Sequence, residues 1–200
     1  MAIPFSGTAP ASFPDFELDG DVLVRYRGTS PSPDIPLGVR VIGQGAFARN
    51  MHLVSITLPE GVEIIDYGAF HTCMCLTGIR LPQSLKRIED RAFEYCRTML
   101  TITLPDQLTY IGKRAFSNSG LAGFLDIPAA VNHIGDEAFF YCPWLSRAVF
   151  AATPAFLGRD LFAQCHKLTH IHGPKALEAC LPLQSDSCAT AFSDPGDKTG

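Results

Sequence analysis

The stretch Leu53 to Cys73, LVSITLPEGVEIIDYGAFHTC, carries the pattern that organises the whole chain. Ile56 and Leu58 alternate with Ser55 and Thr57, which predicts a short half-buried strand. Pro59 ends it, since proline has no N–H to give to a ladder. Glu60-Gly61 turns the chain, and a second short extended piece points Val62 and Ile65 inward. Asp66-Tyr67-Gly68 leads into Ala69-Phe70, expected as a single helical turn or an irregular corner. Cys73 comes before the next strand and faces the core.

The same pattern returns every 23 residues. Ala-Phe pairs stand at 46–47, 69–70, 92–93, 115–116 and 138–139, and Leu161-Phe162 continues them. Pro36, Pro59, Pro82, Pro105 and Pro128 keep the step, as do Ile42, Ile65, Ile88, Ile111 and Ile134. Cys73, Cys96, Cys142 and Cys165 form another column, with Ser119 in the gap. Each unit has too thin an apolar side to fold alone, so the units must stack. The prediction is a solenoid of about six coils with short parallel strands and an internal aromatic column. Residues 35–174 form the repeats and 1–15 a flexible leading segment. Residues 16–34 hold a capping hairpin, because Asp19-Gly20 joins two alternating runs. Residues 175–200 form a cap and a disordered tail, with a short helix or irregular cap over 175–183. Two units depart from the pattern. The corner SNSGLAGFLDIP places Phe124 where other units are polar, and the last unit has Ala151 for proline.

Pieces such as LTGIRLPQSLKRIEDRAFEYC and IPAAVNHIGDEAFFYC, with the motif LxxIxLP, then VxxI, then a glycine or acidic residue, then AFxxC, resemble the BspA-type (Treponema pallidum-type) leucine-rich repeats. The resemblance implies a horseshoe-like leucine-rich-repeat solenoid, with irregular or short helical corners. It also implies a protein-interaction or adhesion module at a cell surface or in secretion. A cytoplasmic structural scaffold and a carbohydrate-binding surface protein are the alternatives.

Composition narrows the functions further. Twenty acidic and 16 basic side chains leave no concentrated positive face for nucleic acid. No run of eighteen apolar residues predicts a membrane span. The opening MAIPFSGTAP does not have the basic and apolar regions of a secretory signal, so location stays open between surface and cytoplasm. Seven cysteines cannot all pair within the chain. The in-phase cysteines are expected as buried free thiols acting as small apolar spacers. Whether Cys180 and Cys188 pair is left open. No nucleophile elbow, zincin motif or phosphate-cradling loop is present, and neither catalysis nor a cofactor is expected.

The outward strand positions are the candidate binding surface. One row is Ser55, Gly78, Thr101, Phe124, Arg147 and His170, and the other Thr57, Arg80, Thr103, Asp126, Val149 and His172. The first half is small and hydroxylated. The second half concentrates an aromatic ring, a guanidinium, a carboxylate and two imidazoles. Arg80, Phe124, Asp126, Arg147, His170 and His172 are therefore the predicted contacts with an unknown protein or a glycan, with Phe124 and Arg147 close enough for a cation–π contact. His170 and His172 share one strand face, and His166 is near in sequence. Asp126 would lie about 10 Å from His172, two strand spacings away. That leaves no firm third ligand, and no metal is predicted. Trp144 is read as either an exposed anchor or a cover for the edge of the aromatic column, the second being favoured. An exposed final strand would allow dimers unless residues 175–190 cover it.

Overall fold

A computed structural model describes residues 14–175 and the strand at 191–193. The predicted hairpin is present as β1 (Phe16–Asp19) and β2 (Val22–Tyr26), paired antiparallel. Six coils follow. Along one side of the solenoid run β3 (Val41–Ile42), β5 (Ile64–Ile65), β7 (Arg87–Ile88), β8 (Tyr110–Ile111), β10 (His133–Ile134) and β12 (Phe156–Leu157). These two-residue strands stack in parallel and join the hairpin in one eight-stranded sheet.

The opposite side carries the LxxIxLP strands, and there the sheet is broken. β4 (Ser55–Thr57) and β6 (Gly78–Arg80) form a pair by themselves. β9 (Ala122–Ile127), β11 (Trp144–Phe150), β13 (His170–His172) and β14 (Ala191–Ser193) form a separate four-stranded sheet. Residues 101–104 lie between the two sheets and belong to neither. The registers match the two predicted rows: Phe124 faces Arg147 and Arg147 faces His170, while Asp126 faces Val149 and Val149 faces His172.

The corners are irregular turns, and no helix occurs among the described residues. Two positions per coil sit in the left-handed region. One series is Arg91, Arg114, Glu137 and Asp160, and the other Arg49, Thr72, Tyr95, Asn118, Tyr141 and Gln164, all with φ between 51° and 63°. Left-handed residues do not continue a right-handed helix. They turn alternate N–H groups along the solenoid axis instead. The N–H groups of Gly68, Phe70 and Thr72 donate to Asp90, Ala92 and Glu94 in the next coil at 3.0, 2.8 and 2.8 Å. Those of Ala69, His71 and Cys73 close turns within their own coil. The corner is thus a second hydrogen-bonded ladder, which offsets the cost of its backbone.

Inside the coils the phenylalanine column is continuous. Phe47, Phe70, Phe93, Phe116, Phe139 and Phe162 stack at centroid spacings of 5.0–5.5 Å and within 14° of parallel. Tyr26 of the hairpin adds a seventh ring, 5.2 Å from Phe47, so the hairpin caps the front of the core.

The in-phase cysteines are buried and free, and they do more than space the coils. The thiols of Cys73, Cys96, Cys142 and Cys165 donate to the carbonyls of Phe47, Phe70, Phe116 and Phe139 at 3.0–3.4 Å. A purely apolar spacer would leave those contacts unmade. Burial pushes the Cys73 thiol up to about 12 and Cys96 well above its ordinary value. The reactive species is the thiolate. All four in-phase cysteines have no exposed surface, so among the five described cysteines iodoacetamide is expected to label Cys75 in the native protein and the other four only after denaturation. Peptide mapping of native and unfolded samples checks this, and rapid native labelling of Cys96 would contradict it.

The edge of β13 carries a further strand from within residues 175–200. β14 pairs in parallel with β13 through His170–Ala191, Ile171–Phe192 and His172–Ser193. This last step is 21 residues, against 23 between the earlier strands of this side. The predicted cap over 175–183 and the pairing of Cys180 with Cys188 lie outside the described residues, as do the predicted tail and most of the leading segment.

Candidate functional site

β9 and β11 are longer than the other LxxIxLP strands, with 6 and 7 residues against 3 in β4, β6 and β13. The extra length arises from a local irregularity in the coil that holds β9. Other coils place the first inward side chain of this strand at Leu53, Leu76, Met99, Leu145 and Leu168, and all five are buried. The 23-residue step puts Ala122 at this position, and the buried leucine comes one residue early, at Leu121. Gly123 absorbs the offset with φ +71°, a conformation that glycine adopts freely. A bulge at Ser146 absorbs it on β11, and the Ser146 hydroxyl donates to the Gly123 carbonyl at 2.9 Å. Bulges are frequent beside functional sites because they re-aim neighbouring side chains.

The next outward residue after Gly123 is Phe124, which is 67% exposed. The Arg147 guanidinium carbon lies 5.1 Å from its ring centroid, so the predicted cation–π contact is present. Asp126 follows on the same face of β9 and is exposed. His170 and His172 lie on β13, their rings near parallel at 5.9 Å. Burial, then the charges of Arg147 and His170, hold His172 below its ordinary value. Five of the six predicted residues thus share one sheet. Arg80 does not: it lies on β6, across the break. Among the described residues no three His, Cys, Asp or Glu side chains converge as metal ligands would.

The sheet face is flanked by two concavities. A cleft of about 720 Å³ opens beside the C-terminal end of β9, walled by Thr101–Leu104, Asp106, Phe124 and Asp126–Ala129. Ala122 N–H still donates to the Leu100 carbonyl at 2.9 Å, but no backbone bond links 101–104 to either neighbouring strand. Ile102 is partly buried, as is Ile79 at the same position of β6. A notch of about 290 Å³ opens at the other end of β9, between Arg97 and the pair Tyr141 and Trp144. Its floor is Gly120, where neighbouring coils carry Arg97 and Pro143. A Cβ there would lie 2.2 Å from the Arg97 carbonyl oxygen. Of the two readings of Trp144, the structure shows the exposed one and not the favoured cover over the column. Trp144 is 51% exposed, with the Lys167 ammonium 4.2 Å from its ring centroid.

The sequence reading missed one further array. On the eight-stranded sheet, Arg87 lies 3.9 Å from the Tyr110 ring, Tyr110 stacks on His133 at 4.5 Å, and His133 on Phe156 at 4.4 Å. The 23-residue step from 87 to 156 was the available signal. Burial, then the Arg87 charge, hold His133 below its ordinary value of 6.5. The unfolded chain then takes up a proton more readily than the folded one. This contribution to stability falls as pH drops below 6.5 towards the lowered value, and is unaffected above 6.5. Wild type is expected to lose more stability than His133→Phe between about pH 7.5 and 5.5 in urea titrations. Equal losses would remove His133 as the cause.

Among the described residues no helix is long and apolar enough to cross a membrane. A search of curated proteins finds no match. Solved structures do match. A leucine-rich repeat protein from Bacteroides ovatus is 30% identical over 78% of this chain and 42% of its own, with a TM-score of 0.66. The Treponema pallidum leucine-rich repeat protein is 25% identical over 90% of this chain and 99% of its own, with a TM-score of 0.73. The pneumococcal vaccine antigen PcpA shares the fold at 22% identity and a TM-score of 0.73, covering 88% of this chain and 45% of its own. This chain therefore spans less than half the length of the first and third and almost all of the second. Six copies of the BspA type leucine rich repeat region match residues 29–146 and 132–180. The chain belongs to the family of BspA type leucine rich repeat proteins.

Proposed function

We propose that this chain is a protein-interaction module and that its partner docks on the outer face of the four-stranded sheet. Adhesion is one use of such a module that the family resemblance suggests. The observation that carries the reading is Phe124: a large ring, 67% exposed, backed by Arg147 and set between two concavities. Exposed aromatic and arginine side chains at the centre of a face are the usual anchors of interfaces. A solenoid holds such a face rigid, so little ordering cost opposes binding.

The test uses a partner captured from native cells, identified by mass spectrometry and then purified. Phe124→Ala and Arg147→Ala are each expected to weaken its binding by about 2 kcal/mol, near thirtyfold. Glu63→Ala, just before β5 on the other side of the solenoid, should bind like wild type. Surface plasmon resonance reads all three. Unchanged affinity in both face variants would move the interface elsewhere.

A further inference from the structure

The charges around β9 are arranged by sign. Arg97 lines the notch at its start, and Lys167 lies over the Trp144 ring beside it. Arg147 stands at the middle, over Phe124. Asp106 and Asp126 line the cleft at its end. None of these five groups forms an ion pair among the described residues. The ion pairs that do form involve other residues, such as Arg40–Glu63–Lys86 and Arg114–Glu137. The track is therefore a row of uncompensated charges, positive at one end and negative at the other, with an exposed ring between them.

We infer that the track binds an extended peptide segment of about six residues, laid along β9, acidic at the notch and basic at the cleft. The inference rests on the sheet face being the docking surface. The length follows from the strand: six residues at about 3.3 Å each span roughly 20 Å. The unpaired backbone of 101–104 in the cleft offers N–H and C=O groups to a ligand main chain, as an open strand edge does. Partly buried Ile102 and exposed Phe124 offer apolar contact for a side chain near the middle. The opposite charges at the two ends decide the class of ligand. A peptide carries both signs within six residues. An anionic glycan matches only the notch and is repelled by Asp106 and Asp126.

The test needs three fluorescent hexapeptides of one composition: two aspartates, a valine, a threonine and two lysines. The first has the acidic pair leading, the second has the basic pair leading, and the third alternates the charges. Fluorescence polarisation at about 0.15 M salt measures each against wild type, because exposed charges are screened beyond roughly 8 Å there. One block-charged peptide is expected to bind at least tenfold tighter than the alternating one. The double variant Asp106→Asn/Asp126→Asn and the single variant Arg97→Gln should each erase most of that preference. Equal affinity for all three peptides overturns the inference, as does an absence of binding by either block peptide up to about 1 mM, the weakest affinity such contacts would give. Tighter binding of a uronic-acid oligosaccharide than of any peptide overturns it too. If the peptides fail while Phe124→Ala still weakens the captured partner, the docking surface stands and the peptide track falls. If Phe124→Ala and Arg147→Ala also leave that partner bound, both fall.

Discussion

Phe93→Ala is expected to remove about 3–5 kcal/mol of folding stability, the range seen when a buried aromatic ring becomes a cavity. Phe93 has no exposed surface and stacks between Phe70 and Phe116 at 5.2 Å on either side. In a solenoid each coil contacts only its neighbours, so the column cannot close around the gap from elsewhere. The loss is a large share of the roughly 5–15 kcal/mol that holds a typical domain. Phe124→Ala is the matched control. The residue type is the same, but the ring is 67% exposed, and its removal is expected to change stability by no more than about 0.5 kcal/mol. Urea unfolding followed by circular dichroism measures both. A shift below about 1 kcal/mol for Phe93→Ala would mean that the stack is not a principal source of cohesion.

That contrast also shows what the sequence made legible. Phe93 and Phe124 differ in register, and register alone separates core from face. The 23-residue step assigned both correctly. It also placed Phe124 against Arg147 and Asp126 in the row of Val149, because parallel strands one coil apart keep a constant offset. Features that depend on breaking the period were not legible. Leu121 arrives one position early, and its consequences (the turn at Gly123, the bulge at Ser146 and the notch over Gly120) are three-dimensional adjustments to that offset. The sheet break at 101–104 has no residue signature, since Thr101 and Thr103 suit a strand. It separates Arg80 from the other predicted contacts. The left-handed corners were hidden for another reason. Arg, Thr, Tyr, Glu and Gln occupy most of them, and these side chains do not announce a positive φ; only Gly45, Gly68, Asn118 and Asp160 are of the types that favour it. The determinant is the hydrogen bond to the next coil, which eight of the ten donate, Asp160 and Gln164 of the last coil being the exceptions among the described residues. The thiol contacts to the phenylalanine carbonyls are a similar case: the cysteine column was visible, but its acceptors lie 26 residues back, off the repeat step.

The second large effect concerns the closeness of the coils. Gly135→Ala is expected to destabilise the protein by about 1–3 kcal/mol, the usual cost of forcing atoms into a packed interior. A Cβ at Gly135 would lie 2.5 Å from the Lys113 nitrogen and 2.8 Å from the Gly112 carbonyl carbon. These are backbone atoms of the preceding coil, and no rotamer change moves them aside. The Gly135 N–H also donates to the Ile111 carbonyl at 2.8 Å, which holds the two coils at that distance. Gly112 and Gly158 repeat the arrangement one step either way, with Cβ approaches of 2.5 and 2.3 Å to backbone nitrogens. Asp66 and Glu89 occupy the same column in the second and third coils, while Gly43 holds it in the first, where a Cβ would lie 2.8 Å from the Leu23 carbonyl oxygen. Gly78→Ala provides the comparison. Nothing lies within 4 Å of its Cβ position, so this change is expected to be neutral or to stabilise by about 0.4–1 kcal/mol through a less flexible unfolded chain. Denaturant midpoints of the two variants decide between a position-specific clash and a general effect of adding a methyl group. Equal midpoints would show that the coils separate cheaply. Such looseness would undermine the rigid sheet face too, because Gly135 lies in the coil that carries Phe124, and spacing on one side of a coil sets spacing on the other.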